Sequence, residues 1–360
     1  MVTIKDMAEM LGISTTTVSN VIHGKTSQVS PKTVERVQKL LEEYDYVPNI
    51  NARNLAQNQS KIIVVALKAR RDKYPNILAD PFFGALVGAI EAEIRKQGYF
   101  MMLYISNDIQ DIMKYISSWN ADGLLLVGML HDDFIRVRSK LKKPMVLLDS
   151  YVPEVVKRYV NVGLDDEKGA YEMTQYLLSQ GHRRIAFLAD NVEGVDYIRY
   201  KGHERAMMEY GLEPSEEDIL IIRPGEDERP DSLREILEAS KNYTALMVCS
   251  DYYAAVVANY LMDAGVRIPE DISITGFDGN MYSQVIRPAI TTMAQNVEEK
   301  GTTAVQCLLK LINKEPINER DIRLPVKLII RDSVKTLKKA DKLDENRTGV
   351  ELEVTTQPDG

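Results

Sequence analysis

The stretch GISTTTVSNVIHG, residues 12–24, combines a composition that disfavours a helix with a spacing that is typical of one. Three consecutive threonines flanked by serines are poor helix formers, because such side chains compete for backbone hydrogen bonds. Yet Val18, Val21 and Ile22 recur at the interval that places side chains on one buried helical face. The pattern therefore predicts a short helix that exposes hydroxyls on its first turn and packs its aliphatic side chains inward.

The flanking sequence predicts a further helix on each side. Thr3 and Asp6 form a capping-box pattern before IKDMAEML, and Gly12 ends that helix. Ser14 can cap the second helix, and Ser30, followed by proline, opens a third. Two short helices joined by a glycine turn are typical of helix-turn-helix proteins, whose second helix enters the major groove of DNA by its N-terminal end. A solvated helix start without a partner is the alternative that spacing alone leaves open.

From residue 61 onward the pattern changes. Short aliphatic runs (IIVVAL, FMMLYI, GLLLVG, PMVLLD) alternate with amphipathic helical stretches, and the alternation restarts with RRIAFLA, DILIIRP, TALMVCS and DISITGF. Such alternation predicts parallel sheets with helices on both faces, so we expect two doubly wound α/β lobes with a cleft between them. The end of the chain lacks periodicity and a leucine heptad, which predicts a loose tail without a coiled coil.

Composition and charge exclude several classes of protein. The 360 residues carry a net charge of −8, which argues against a protein that simply coats nucleic acid. With two cysteines in apolar runs and four histidines, we expect no disulfide framework, no metal site and no cofactor. The sequence shows neither a membrane-length apolar stretch nor a signal peptide at its start, so we expect a cytoplasmic protein without a membrane partner.

The sequence also argues against an enzyme. No GxGxxG motif follows the first strand, and neither a phosphate-binding loop nor a Ser/His/Asp constellation is evident. We interpret Asp165, Asp166 and Asp271 as ordinary caps, because they occupy helix or strand starts. A transport binding protein would also have two clefted lobes, but that alternative leaves the first 60 residues unexplained and lacks its export signal.

The N-terminal segment resembles the DNA-binding segment of the LacI/GalR family of bacterial transcription regulators. The resemblance rests on TIKDMAEMLGIS, TVSNVIHG, VSPKTVERV, YVPN and an AxxLA pattern, and the two lobes resemble that family's periplasmic-binding-protein-like core. It implies an all-α head followed by an α/β core of two doubly wound parallel-sheet lobes. The implied segments are a helix-turn-helix head (1–48), a hinge helix (49–60), an effector-binding and dimerisation core (61–337) made of lobe 1 (about 61–160 plus 291–321) and lobe 2 (about 161–290 plus 322–337), and a disordered tail (338–360).

The resemblance also implies which residues contact DNA. Thr15 and Thr16 match the main base-reading positions, and Asn20 stands where many members carry arginine. Leu55 matches a leucine that the family inserts into the minor groove, and Ala52 would allow two hinge helices to approach. The other implied contacts, mostly to the DNA backbone, are Thr3, Ser14, Thr17, Ser19, His23, Thr33, Asn49 and Arg53.

The charge of the head bears on how it binds. Residues 1–60 contain six basic and six acidic side chains, so affinity for random DNA should be modest. Because two-fold protein symmetry matches two-fold DNA symmetry, we expect a homodimer on a palindromic operator of double-stranded DNA. Repression rather than activation is what the resemblance implies.

Ligands of open α/β sheets bind beyond the carboxyl ends of the strands. The resemblance implies that Arg199 and Asp278 hold the polar groups of a small-molecule effector. The remaining candidates are two lip aromatics and three strand-end residues, namely Phe82, Phe83, Asp149, Ser250 and Asp251. Carboxylates with an arginine suit a polyhydroxylated ligand, so we expect a sugar or sugar derivative.

Other interpretations of these residues stay open. Asp278 could cap a turn, Arg199 could form an ion pair, and the two phenylalanines could simply fix the helix that follows. A long basic loop, residues 69–79, could favour an anionic ligand such as a sugar phosphate or could be a solvated loop.

Overall fold

The structure is a computed structural model, and the residues that it describes are 2–46, 59–69, 76–150 and 159–337. The chain divides into two compact units, Met1–Ser60 and Lys61–Gly360. Residues 49–58 of the predicted hinge, the predicted tail (338–360) and the three basic side chains of the predicted loop (within 70–75) lie outside the described residues. Within the described ranges, no helix is long and apolar enough to cross a lipid bilayer.

The first unit contains three helices, α1 (Ile4–Leu11), α2 (Thr15–Ile22) and α3 (Pro31–Glu43). The predicted caps are confirmed. The Thr3 hydroxyl accepts a hydrogen bond from the backbone N–H of Asp6, whose carboxylate accepts one from the N–H of Thr3. Gly12 ends α1 with a φ of 66°, a left-handed conformation that glycine adopts without a steric penalty. Ser14 caps α2 and Ser30 caps α3.

Apolar side chains from the three helices form one small core. Val18 and Val21 of α2 are buried with Met7 and Ala8 of α1 and Val37 of α3. The predicted inward packing of α2 is therefore confirmed. Burial of one such aliphatic side chain stabilises a fold by about 1.5–3 kcal/mol, so this cluster fixes the orientation of α2.

The second unit alternates strands and helices. In chain order its elements are β1 (Ile62–Lys68), α4 (Pro81–Lys96), β2 (Phe100–Ser106), α5 (Ile109–Ser118), β3 (Gly123–Val127), α6 (His131–Lys140), β4 (Met145–Leu148), β5 (Asn161–Leu164), α7 (Asp166–Ser179), β6 (Ile185–Ala189), α8 (Gly194–Glu209), β7 (Ile219–Ile221), α9 (Arg229–Ser240), β8 (Ala245–Val248), α10 (Asp251–Asp263), β9 (Ser273–Asp278), α11 (Met281–Val285), β10 (Thr291–Gln295), α12 (Val297–Ile312), β11 (Asp321–Leu324) and β12 (Val326–Ile329). Short 3-10 turns cover Ile77–Ala79 and Glu216–Asp218.

These strands form two sheets, which define lobe 1 and lobe 2. The first has the order β11-β5-β4-β3-β1-β2, with parallel pairing throughout. The second has the order β12-β10-β9-β8-β6-β7, in which β12 alone is antiparallel to its neighbour. The predicted two-lobed α/β architecture is confirmed, and each aliphatic run quoted above forms a strand. The antiparallel edge strand differs from the expectation of purely parallel sheets.

The lobe boundaries differ from the expected ones. Strand β5 was expected in lobe 2 but pairs with β4 in the first sheet, and β10 was expected in lobe 1 but pairs with β9 in the second. Residues 322–324 of β11 were also expected in lobe 2, but β11 pairs with β5 in the first sheet. The chain thus crosses between the lobes near Asp165, Asn296 and Pro325, immediately after β5, β10 and β11. The expected boundaries were wrong because each crossover spans only one or two residues and breaks no sequence pattern.

Candidate DNA-recognition face and interlobe cleft

The exposed face of α2 carries the hydroxyls that the sequence predicts. Thr15 and Thr16 are exposed at its first turn, while the valines behind them are buried. Ser14 supports this turn, since its hydroxyl accepts a hydrogen bond of 3.1 Å from the N–H of Thr17. Small hydroxyls on a rigid, exposed helix start permit close approach to phosphates and base edges.

The other predicted DNA contacts have different surroundings. Ser14 shares a hydrogen bond of 2.9 Å with the Thr17 hydroxyl. The Thr33 hydroxyl shares a hydrogen bond of 2.8 Å with the Ser30 hydroxyl. These hydroxyls therefore take part in helix capping, and any DNA contact would use the same groups. Thr3 and His23 are exposed, and Ser19 and Asn20 are half-buried. The predicted hinge contacts, Asn49, Ala52, Arg53 and Leu55, lie outside the described residues.

A cavity of about 1060 Å³ lies between the two lobes of the second unit. Lobe 1 contributes Lys68, Asp133 and Asp149 to its walls, and lobe 2 contributes Asp190 and Asp196. These side chains follow strand ends or begin the next helix, as expected for a ligand site of this fold. The cavity volume matches the upper range of small-molecule sites.

Arg199 is held on α8 by contacts within lobe 2. Its Nε donates to Oδ1 of Asp166 at 2.8 Å, and its Nη1 donates to the carbonyl of Cys249 at 2.5 Å. The Phe277 ring covers the guanidinium at 3.5 Å. Burial would lower the pKa of Arg199, but the carboxylates of Asp166 and Asp278 raise it above its ordinary value. Arg199 is therefore a buried, permanently charged group that already has a counterion.

Asp149 has a comparable partner in lobe 1. It adopts a φ of 51°, unusual for a residue other than glycine, at the end of β4. Both of its carboxylate oxygens accept hydrogen bonds of 2.8 Å from Nζ of Lys300. The lysine side chain is 1% exposed, and its ammonium lies 5.1 Å from the centre of the Phe82 ring. Burial raises the pKa of Asp149, and the Lys300 ammonium opposes that rise.

Asp278 borders a second cavity of about 1020 Å³, which the crossover residues Asp165, Asn296 and Pro325 also line. Its carboxylate accepts a hydrogen bond of 2.7 Å from Nε2 of Gln295. Burial raises the pKa of Asp278 to about 7, although the Arg199 guanidinium lowers it. This carboxyl group can therefore accept or release a proton near neutral pH.

The two phenylalanines lie at the start of α4. The Asp80 carboxylate accepts hydrogen bonds from the backbone N–H groups of Phe82 and Phe83, and the two rings meet edge to face with centres 5.0 Å apart. Phe83 lines the first cavity and Phe82 the second. Both remain candidates for packing against the face of a ligand.

Ser250 and Asp251 serve the fold in this structure. The Ser250 hydroxyl caps α10. Asp251 has no exposed surface, and its carboxylate accepts hydrogen bonds from the hydroxyl of Thr292 at 2.6 Å and the N–H of Asn280 at 2.8 Å. Burial raises the pKa of Asp251 to about 6. We therefore assign Asp251 a role in positioning the segment after β9, which differs from the predicted contact with an effector.

Sequence analysis missed three important groups. Lys300 follows no strand and was not singled out. Asp190, which follows β6, accepts a hydrogen bond of 2.9 Å from the Tyr253 hydroxyl and was also not singled out. Asp166 was interpreted as a helix cap. In the structure Asp166 is the counterion of Arg199. Its position two residues after the short strand β5 was a usable signal for Asp166, whereas no local pattern indicated Lys300.

Comparisons with known proteins agree with this architecture. Residues 3–49 match the family described as bacterial regulatory proteins, lacI family, and residues 174–334 match the periplasmic binding protein-like domain. The chain is 31% identical to the HTH-type transcriptional regulator GalR of Escherichia coli (strain K12), over 93% of this chain and 96% of that protein.

Two solved structures share both the fold and part of the sequence. The lac repressor dimer bound to operator and the anti-inducer ONPF has a TM-score of 0.81 and 25% identity, over 93% of this chain and 99% of that chain. The complex of the transcriptional regulator CelR with cellobiose has a TM-score of 0.69 and 25% identity, over 92% of this chain and 100% of that chain.

Proposed function

Because the chain belongs to the LacI family of bacterial regulatory proteins, and is thus a ligand-responsive DNA-binding regulator, we propose that it represses carbohydrate-utilisation genes without catalysing a reaction. It binds a palindromic operator as a homodimer, and a small molecule in the interlobe cleft sets its affinity for that operator. The observation that carries this proposal is the association of an exposed, hydroxyl-rich helix start with a two-lobed, cavity-bearing core.

The proposed DNA contacts are supported by the exposed start of α2 and by the resemblance to the family. Thr15 and Thr16 form hydrogen bonds with base edges. Asn20, one turn further along α2, also contacts a base edge. Hydroxyls near the helix starts and His23 contact the DNA backbone. For the linker, the resemblance to the family supports insertion of Leu55 into the minor groove, contact of Ala52 with the partner's hinge, and DNA contacts of Asn49 and Arg53.

Exposed apolar side chains support the proposed homodimer. Phe100 is 54% exposed on β2, an edge strand of the first sheet. In lobe 2, Met281 and Val285 of α11 are 54% and 65% exposed. Apolar side chains of this size gain free energy when a second copy covers them, so each lobe can contribute to a two-fold interface.

The cleft supports a polyhydroxylated effector. Carboxylate and guanidinium groups can each bond two adjacent hydroxyls, and Phe83 provides an apolar wall. The similar CelR structure contains cellobiose, which favours a sugar for this chain as well. A ligand that binds one arrangement of the lobes more tightly shifts the equilibrium between an operator-binding and a released state.

Selection of random duplexes with the full-length protein tests the proposal directly. We expect enrichment of an inverted repeat whose protection from nuclease changes when a sugar from a panel is added. Enrichment of a single, asymmetric site would contradict the dimeric arrangement. Protection that no sugar alters would contradict the assignment of the effector.

A further inference from the structure

Two buried cations lie close to the interlobe cleft, and each is neutralised within its own lobe. Arg199 contacts Asp166 at 2.8 Å, and Lys300 contacts Asp149 at 2.8 Å. Asp149 also interacts electrostatically with Asp166 and Arg199, so the two ion pairs influence each other across the cleft. We call these four side chains the cleft floor. Their formal charges sum to zero.

The described walls of the cavity carry more carboxylates than cations. Among the residues that the structure describes, the lysine and arginine side chains that line it are Lys68 and Arg136, and Lys68 pairs with Asp133. The acidic lining residues are Asp132, Asp133, Asp149, Asp190, Glu193 and Asp196. An anion that entered this cavity would meet a surplus of like charge, and to reach a cation of the floor it would have to displace a bonded carboxylate.

We infer that Lys300 selects an uncharged effector, because its ammonium cancels the charge of Asp149 beneath the cavity. This inference rests on the proposed function, since it concerns the ligand of the same cleft. Asp149 lines the cavity, whereas Lys300 reaches it from α12 and is buried behind the carboxylate. Lys300 is therefore a positioning residue that acts through Asp149.

The geometry explains why this pair can determine specificity. With both oxygens bonded to Lys300, Asp149 keeps a fixed orientation and can still accept a hydrogen bond from a hydroxyl. A neutral hydroxyl donates to such an oxygen without disturbing the pair. A phosphate ester is repelled by the carboxylate, and an ammonium competes with Lys300 for it.

Matched sets of sugars test the inference with the full-length protein. Each set contains a neutral sugar, its phosphate ester and its amino analogue, for example D-glucose, D-glucose 6-phosphate and D-glucosamine, with a matching set based on D-galactose. Calorimetry should show that the ester and the amine bind at least about tenfold more weakly than the neutral sugar of the same set.

The outcomes separate the two claims. An ester or amine that binds as tightly as its neutral parent overturns the inference and leaves the sugar-responsive regulator in place. If no member of any set binds, the proposed sugar effector fails, and the inference fails with it.

Variants provide a readout that a purely structural role would not change. Lys300→Met should raise affinity for the amine relative to the neutral sugar by about tenfold, because Asp149 loses its counterion. Asp149→Asn should instead favour the ester, because the lysine then lacks its counterion. Lys310→Met, an exposed position on the same helix, should change neither ratio. Ratios that stay constant in both floor variants overturn the inference.

The double variant Asp149→Asn with Lys300→Met addresses folding. It removes both charges at once and should retain the preference for neutral sugars, even if either single variant fails to fold. A double variant that binds the ester or the amine as well as the neutral sugar overturns the inference.

Discussion

The recognition face of α2 and the cleft floor are built in opposite ways. On α2 the hydroxyls are exposed and are positioned by neighbours a few residues away, as Ser14 positions the first turn. In the floor, the charged groups are buried, or half-buried in the case of Asp149, and are bonded to partners 33 and 151 residues distant in the chain. Local sequence can thus specify a surface that presents side chains to DNA, whereas a small-molecule site depends on the whole tertiary fold.

The largest expected effect comes from breaking a buried pair in the floor. Arg199→Met leaves the Asp166 carboxylate without its main counterion, so we expect the core to lose about 3–5 kcal/mol of unfolding free energy. Urea unfolding followed by the fluorescence of Trp119, the single tryptophan, reports on this unit. Adding Asp166→Asn should recover part of the loss. A single variant as stable as the parent would show that the floor does not depend on charge compensation.

A cavity in the small core of the head should have a smaller and separate effect. Val18→Ala removes buried methyl groups and should cost about 2 kcal/mol. Hydrogen exchange of the head amides should accelerate and operator affinity should fall, while the Trp119 unfolding transition stays unchanged. Met10→Ala, at an exposed position of the same unit, serves as the control. A shift of the core transition would contradict the independence of the two units.

The pH dependence of the unfolding free energy of the core provides a third test. Burial raises the pKa of Asp278 to about 7, so the folded state binds a proton that the unfolded state has released above about pH 4. Stability should therefore decrease as the pH rises from about 4 to about 7, by up to about 1 kcal/mol per pH unit from this group. Asp278→Asn should flatten the slope measured by urea unfolding at several pH values. An unchanged slope would show that other groups cause the dependence of stability on pH.

The smallest expected effect separates capping from DNA contact on α2. Ser14→Ala removes the cap and should destabilise the helix by about 1 kcal/mol, seen as faster hydrogen exchange in the head. Ser14→Asp keeps a good cap but places a negative charge beside the phosphates, so it should weaken binding to any duplex while exchange stays slow. Equal DNA affinity in the Asp variant would indicate that this turn does not approach the DNA backbone.

Sequence alone predicted most of the fold. Helix caps and the alternation of strands and helices are local signals, which is why α1 to α3 and the main strands were found. The crossover strands β5 and β10 were assigned to the wrong lobes, because the chain changes lobe within a single residue after each strand and no sequence pattern marks the change. The ion pair of Asp149 with Lys300 joins residues that no local pattern relates, and Asp166 resembled an ordinary cap until the position of Arg199 was known.

The three crossovers at Asp165, Asn296 and Pro325 have a consequence for how such genes recombine. Each lobe is assembled from separate stretches of the chain, so a single breakpoint within the core splits a lobe instead of transferring one. The first sixty residues, by contrast, form one uninterrupted unit. A single exchange near residue 60 can therefore give an existing ligand-binding core a new DNA-binding head, whereas a new core has to be inherited whole or modified residue by residue.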